Sequence, residues 1–511
     1  MKIFLLLSPP LKRLGVVGQI YPPLGILYLA AYVREHSSDF EFKALDGYQL
    51  SGERVLKCVE EIKRYQPDVL GVSMTTQGAS GGYAIIKQIR ELLPDTFIVT
   101  GGPHVTTLPE ESLEQASADC AVVGEGEVTF YELLCRLRDN KDWRDLQGVV
   151  ARADNGKIKR NPHRSYIMDL DSIPFPARDL INLRKYPGFH YKLRSWDTSF
   201  LSSRGCPYHC SYCSDPVWKV GTDSGVAGFN RRKNPWLRLR SPQNIVAELE
   251  HLKSTYDVHE FYDQTDLFNG SLSVAKNTCQ VYIDAKLDIK WKVQMTVRNF
   301  DEELAALMAQ SGCWMAYLGI ETGNADTLKG INKRASTKSA EQSLGHLKKH
   351  GIKTFALLMA FNVWEENGEL KYEDKKATMN TFKFAEKMID EGLLDLISWS
   401  LTTPYPGSPL WGVAERHNLI PDHIKQHWEE WDSSTNMIMQ LPGVTERDWK
   451  QVWLYGKWLQ TKLLFKSGTF NWKSLPLYIQ KGATVARRFL MNSKFNYSSL
   501  SDADSPDYKA E

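Results

Sequence analysis

Three cysteines within eight residues, Cys206, Cys210 and Cys213 in "SRGCPYHCSYCSDP", stand out in a chain of 511 residues that holds only eight. Scattered at random, eight cysteines would produce this spacing about 0.002 times per chain. Thiolates bind soft metals, and two metal chemistries are open to such a cluster. A structural zinc site takes four ligands, usually as two separated pairs, and no second Cys/His pair is evident beyond His209 inside the cluster. A cubane iron–sulfur cluster normally takes four thiolates, so three leave one iron open to bind and activate a small molecule. The other five cysteines (Cys58, Cys120, Cys135, Cys279, Cys313) are scattered among apolar residues and read as small buried hydrophobes.

A second set of residues offers backbone rather than side chains. The segments "VLGVSMTT", "VTGGPHVTTLPEE" and "VVGEGEVTFYELL" end apolar runs in Ser73, Thr75, Thr76, Gly101, Gly102, Gly124, Glu125 and Gly126. Hydroxyls and bare amides at strand ends let a large planar ring lie against the chain. These glycines do not form the G-x-G-x-x-G fingerprint, and a nucleotide-binding or purely structural flavodoxin-like domain is the alternative. His104 in "GGPH" is a further candidate contact, although alone it reads as a loop residue. A third set, Asp263, Arg298 and Glu321, closes apolar runs. Asp263 and Arg298 read either as site residues or as strand-end caps and ion-pair partners, whereas Glu321 at the mouth of a barrel needs a polar partner.

The elements that must hold these residues follow from periodicity. Over residues 1–140, buried runs such as "KIFLLL" and "DVLGVSM" alternate with amphipathic ones such as "GGYAIIKQIRELL". This alternation predicts a doubly wound (Rossmann/flavodoxin-like) α/β sheet, which binds ligands at the carboxyl ends of its strands. Residues 141–195 read as a connector containing "DLDSIPFPARDL". Residues 196–430 carry six strand–helix units ("SFLSS", "HEFYDQ", "WKVQMTV", "WMAYLGIE", "KTFALLMAF", "LISWSLTT"), the pattern of a partial or complete β/α barrel with its chemistry on the loops after the strands. Residues 431–495 read as a helical C-terminal region, expected to cap the active site with its lysines on the wet face or to lie at an interface near a lipid-like substrate. Residues 496–511 read as a disordered tail.

Composition narrows the partners. With 63 basic and 61 acidic residues the formal net charge is +2, which gives no electrostatic reason to expect nucleic acid. "MKIFLLLSPP" has one basic residue and too short an apolar run for a signal segment, and no later run reaches membrane-spanning length. A cytoplasmic location is therefore expected, where clustered cysteines point to metal or redox chemistry.

The spacing C-x₃-C-x-Φ-C, with Tyr212 as the aromatic and placed directly after the first barrel strand, closely resembles the radical S-adenosylmethionine (SAM) superfamily. "EFYDQTDLF", "WKVQMTVR", "GCWMAYLGIETGNADTLKGINK" and "TPYPGSPLW" are similar to that family's strand-end segments. The N-terminal motifs, in their order, resemble the cobalamin-binding domain of cobalamin-dependent radical SAM enzymes. The resemblance spans about residues 1–430. It implies an oxygen-sensitive enzyme with three cofactors: a [4Fe-4S] cluster on Cys206, Cys210 and Cys213, SAM contacted by Tyr212, Asp263, Arg298 and Glu321, and cobalamin on the glycine loops. Asp263 would lie near the SAM amino group. The family mechanism uses one SAM to methylate cobalt and a second to yield a 5′-deoxyadenosyl radical, so a C-methyltransferase is implied, with radical cyclisation or oxygenation of a tetrapyrrole-like or lipid-like substrate as the alternative. A non-catalytic cofactor-binding sensor is a third reading, against which the intact triad counts. A small-molecule substrate, large and apolar by likeness to relatives, and a flavodoxin- or ferredoxin-type electron donor are the implied partners.

Two departures stand out. The D-x-H-x-x-G motif that supplies a histidine below cobalt is absent, since "DGYQLSG" has Asp46 but no histidine, so cobalamin would bind without one. At "LLMAFNVWEENGELKYED" the glycine-proline-glycine turn of many relatives is missing, which suggests a loop of this chain's own facing the substrate.

Overall fold

The computed structural model describes residues 1–11, 21–186, 188–189, 191–214, 237–434 and 436–466. Its first sheet has seven strands: β1 (Lys2–Leu7), β2 (Glu41–Asp46), β3 (Val69–Ser73), β4 (Phe97–Gly101), β5 (Cys120–Val122), β6 (Val149–Arg152) and β7 (Ile158–Arg160), in the order 2-1-3-4-5-6-7. The first five are parallel, and β6 and β7 add an antiparallel edge. Alternate residues of β1 serve two cores, as a sheet covered on both faces requires. Phe4 and Leu6 pack with the helices Arg54–Tyr65 and Ala79–Leu92, while Ile3, Leu5 and Leu7 pack with Leu24–His36 and Glu127–Arg138. The sheet thus runs past residue 140, and the start of the expected connector supplies its last two strands.

The second sheet contains six parallel strands, β8 (Thr198–Phe200), β11 (Glu260–Asp263), β12 (Lys290–Thr296), β13 (Cys313–Glu321), β14 (Lys353–Ala360) and β17 (Leu396–Leu401), in the order 17-14-13-12-11-8. This open order is the expected partial barrel. Between its first two strands lies a short antiparallel pair, β9 (Ser203–Arg204) with β10 (Arg238–Leu239). After β14 comes a hairpin, β15 (Val363–Glu366) and β16 (Glu369–Tyr372). This hairpin is the segment expected to face the substrate, and it packs on the helices Ala325–Gly330 and Pro409–Arg416 and does not line the cavity described below. Arg416 and His417 pair with Glu365, and a Cβ on Gly330 would meet the Trp364 ring at 2.5 Å.

Aromatic side chains fill the barrel lumen: Tyr262, Tyr317, Phe355 and, from the N-terminal region, Tyr21. The Tyr21 ring stacks on Tyr262 at 5.1 Å and its hydroxyl donates to Asp197 Oδ2 at 2.6 Å. Lys292 is fully buried beside them and neutralised by Asp197 and by Glu260 at 3.2 Å. Such a buried cation persists only where it is paired. A second seam joins the regions at residues 428–431. There Trp428 Nε1 donates to Glu111 Oε1 at 2.7 Å, Ser80 Oγ to Glu429 Oε2 at 2.6 Å, and Gln77 Nε2 to the Trp431 carbonyl at 3.2 Å.

The helix Glu446–Lys466 is the long helix of the described C-terminal residues. It lies on the outer helix Lys375–Asp390, where Lys462 and Lys466 reach Asp390, and Gln460 reaches the Ile397 carbonyl of β17. Along this length it covers the barrel's flank and not the cavity described below. Residues 467–495, the rest of the segment expected to cap the site, and the 496–511 tail lie beyond Lys466, outside the described residues. Among the described residues no helix is long and apolar enough to cross a membrane.

Candidate functional site

The cysteine loop begins at Gly205, whose φ of +82° needs a residue without a Cβ and whose N–H donates to Asp266 Oδ2 at 2.8 Å. Two other loops then grip it. Asn332 Nδ2 donates to the His209 carbonyl at 2.7 Å, Ser211 N–H to the Ile331 carbonyl at 2.9 Å, and Leu410 N–H to the Ser211 carbonyl at 2.8 Å. Cys206, Cys210 and Cys213 are all half-buried on this clamped loop. Three half-buried cysteines on a held backbone are what a cluster with one open iron needs, so the residues fit the group.

Around the loop stand charges delivered by strand ends. Glu321 follows a register shift in the β13–β14 ladder and adopts φ +64°, a bulge that re-aims its side chain. A φ of this kind in a residue with a Cβ stores about 1–2 kcal/mol of strain. Lys333 Nζ donates to Glu321 Oε1 at 2.7 Å and to the Tyr212 hydroxyl at 3.2 Å. Burial by itself would lower the Lys333 pKa, but Glu321 and the Cys210 and Cys213 thiols beside it prevail and raise it. Tyr212 is pushed well above the usual phenol range by burial and by the same carboxylate. Arg298, at the end of β12, lies 5.1 Å from the centroid of the Tyr208 ring, inside the cysteine loop. Its Nη1 is buried with no hydrogen-bond partner. An orphaned guanidinium donor beside the loop fits the carboxylate of a bound amino acid such as SAM.

Asp263 goes elsewhere. Side chains alternate along a strand, and Tyr262 takes the lumen side of β11, so Asp263 faces the helical layer. It is fully buried, and its Oδ1 accepts from Ser202 N–H at 3.0 Å and Thr265 N–H at 3.3 Å. Burial lifts its pKa to about 7. The cavity-lining side chains next along the chain are Gln264 and Asp266.

That cavity, of about 410 Å³, lies between the carboxyl edge of the first sheet and the start of the cysteine loop. Ser73, Thr75, Gly101, Gly102, Gly124, Glu125 and Gly126 line one wall, and Ser203, Arg204 and Gly205 the other. Gly102 (φ +93°) lies so close to Met74 that a Cβ would meet its backbone at 2.8 Å. Gly124 (φ +78°) instead has open space where a Cβ would project. A bare, concave wall of this kind fits a large planar ring such as cobalamin. Thr76 does not line the cavity. The Glu125 carboxylate accepts from Arg204, Arg238 and the Ile167 N–H, so its oxygens brace the loop. His104 turns away into the seam, 1% exposed, with Nε2 at 3.1 Å from the Tyr83 hydroxyl and its ring at 4.8 Å from Trp428. Asp46, where a lower-ligand motif would start, caps the turn Gly47–Gln49, and Tyr48 from that turn reaches Thr75 Oγ1 at 3.0 Å.

Sequence reasoning missed Lys333, Arg204, Arg238 and Asp266. Lys333 lay within the quoted "GINK", but its pairing with Glu321 twelve residues earlier depends on the bulge. Arg204 abuts the cysteine motif, and its acidic partners lie far back in the chain.

Residues 11–134 match the B12 binding domain family and residues 200–369 the radical SAM superfamily. An uncharacterized methyltransferase of Pyrococcus horikoshii is 30% identical over 87% of this chain and 89% of its own length. The anaerobic magnesium-protoporphyrin IX monomethyl ester cyclase of Rubrivivax gelatinosus is 27% identical over 76% of this chain, which spans 66% of the cyclase. The fold is similar to that of the radical SAM methyltransferase TsrM of Kitasatospora setae, solved with cobalamin and a [4Fe-4S] cluster: the TM-score is 0.63 at 19% identity, covering 82% of this chain and 78% of that one.

Proposed function

Because this chain belongs to the cobalamin-dependent radical SAM enzyme family, which uses a [4Fe-4S] cluster, SAM and cobalamin, we propose that it is a C-methyltransferase acting on an unactivated carbon. The observation that carries the reading is the shared cavity: the glycine wall of the first sheet and the start of the cysteine loop line the same cavity. A substrate carbon activated on one side therefore lies within reach of a methyl donor on the other. When bound, the cluster and SAM supply hydrogen abstraction by one-electron SAM cleavage, and cobalamin supplies the methyl group.

The chain's own residues would divide the work. Cys206, Cys210 and Cys213 hold the cluster and leave one iron for SAM. Arg298 offers the orphaned donor to the SAM carboxylate, and Glu321, oriented by Lys333, offers an acceptor beside Tyr212. Gly101, Gly102, Gly124 and Gly126 admit the corrin face. Asp263 supports the strand ends from behind. A small-molecule substrate, large and apolar, and a low-potential flavodoxin or ferredoxin as electron source complete the proposal. The likeness to the cyclase favours a second reading, ring formation without net methylation.

One experiment separates them. Anaerobically reconstituted protein, given SAM and a low-potential reductant, is expected to bind cobalamin and release both S-adenosylhomocysteine and 5′-deoxyadenosine. Release of 5′-deoxyadenosine alone moves the assignment to cyclisation, and failure to bind cobalamin overturns both.

A further inference from the structure

Four charged side chains form a closed cluster at the seam between the two walls of the cavity. Arg204 Nη1 lies 3.1 Å from Glu125 Oε1, and its Nη2 lies 2.6 Å from Glu127 Oε1. Arg238, on the strand paired with Arg204, donates from Nη1 to both Glu125 oxygens at 2.8 Å and to the Ile167 carbonyl at 2.8 Å. The four side chains are 18%, 8%, 6% and 4% exposed in the order Arg204, Glu125, Glu127, Arg238. The guanidinium groups of Arg204 and Arg238 lie 5.1 Å and 4.7 Å from the ring centroids of Tyr28 and Tyr166.

The backbone on each side of the cluster makes its position informative. Glu125 sits between Gly124 and Gly126, whose backbone is the cavity wall. Arg204 sits two residues before Cys206, and the intervening Gly205 is tied to Asp266. A planar guanidinium engaging two carboxylates is fixed in direction as well as distance, which a lysine ammonium does not achieve. The path from the glycine wall to the first cysteine therefore passes through one rigid fork. Resting on the two-cofactor reading above, we infer that Arg204 is a positioning residue that sets the spacing and orientation between the cobalamin site and the cluster site, with Glu125, Glu127 and Arg238 as its frame.

The test uses full-length protein, reconstituted anaerobically with the cluster and cob(II)alamin. Metal contents, cobalamin Kd and the magnetic broadening of the Co(II) resonance by the reduced cluster are measured together. Arg204→Gln and Glu127→Gln are each expected to keep wild-type iron, to raise the cobalamin Kd about tenfold and to change the broadening. Arg204→Lys keeps a cation without the fork, and is expected to recover most of the affinity but not the wild-type broadening. Unchanged Kd and broadening in both neutral variants overturn the inference. So does loss of iron in both, because Arg204 would then serve only to fold the cysteine loop. Wild-type protein that takes up a cluster but no cobalamin is a separate result, which removes the two-cofactor reading and the inference with it.

Discussion

The glycine loops of the cavity present bare backbone, while the cysteine loop that starts at its other wall is surrounded by charge. Gly101, Gly102, Gly124 and Gly126 present neutral backbone to whatever lies against them. Around the cysteine loop, by contrast, Glu321 and Arg298 come from the ends of β13 and β12, and Lys333 from the turn after the helix Ala325–Gly330. A broad ring is recognised by shape, through many weak contacts spread over a surface. A zwitterion such as SAM is recognised by a few directed groups. The glycine wall should therefore respond to added volume and the cysteine loop's surroundings to lost charge.

The sharpest break between the two sides is the loss of the thiols. Replacing Cys206, Cys210 and Cys213 together with alanine is expected to abolish bound iron and SAM cleavage while cobalamin still binds, as read by metal analysis and the absorption spectrum. Loss of both cofactors would show that the sides are not independent. Next in size is Lys333→Met, which leaves Glu321 buried without its cation. Removing one partner of such a pair destabilises by about 3 kcal/mol, measurable by denaturant unfolding, and SAM affinity should fall with it while cobalamin affinity holds. Gly124→Val tests the other side: a β-branched residue at φ +78° with its side chain in the cavity is expected to weaken cobalamin about thirtyfold, or about 2 kcal/mol, and leave iron loading untouched.

The smallest effect on cofactor binding belongs to Asp263. Burial raises it from 3.8 to about 7. Between those values the folded chain keeps a proton that the unfolded chain has lost, so stability falls as pH rises from about 4 to about 7. Asp263→Asn removes that slope, which unfolding curves across the range would reveal, and SAM binding should survive. A large loss of SAM affinity would return Asp263 to the site.

How much of this was legible in the residues depended on range. The cysteine triad, the glycine motifs and all six barrel strands are local patterns, and the structure keeps them. The edge strand β2 was hidden because "EFKALD" alternates with Glu41 and Lys43 and lacks a continuous apolar run. The β6–β7 hairpin announced itself only by Asn155-Gly156 in its turn. Lys333 and Arg204 were illegible for a different reason: their meaning lies in partners 12 and nearly 80 residues away. Asp263 shows the converse. Its motif resembled a ligand contact, but the parity of β11 decides which way the side chain points, and a single strand read alone does not reveal which of its faces is the lumen.

Tyr21 bears on how such a chain can be taken apart. Its ring belongs by sequence to the first region and by packing to the second, where it fills the space above Tyr262 and holds the Asp197 carboxylate. A barrel separated from the first 160 residues would carry an empty aromatic socket and a buried Asp197–Lys292 pair short of one donor. The two halves are therefore not interchangeable modules. A graft of this barrel onto another cobalamin-binding sheet would have to bring a matching ring and hydroxyl.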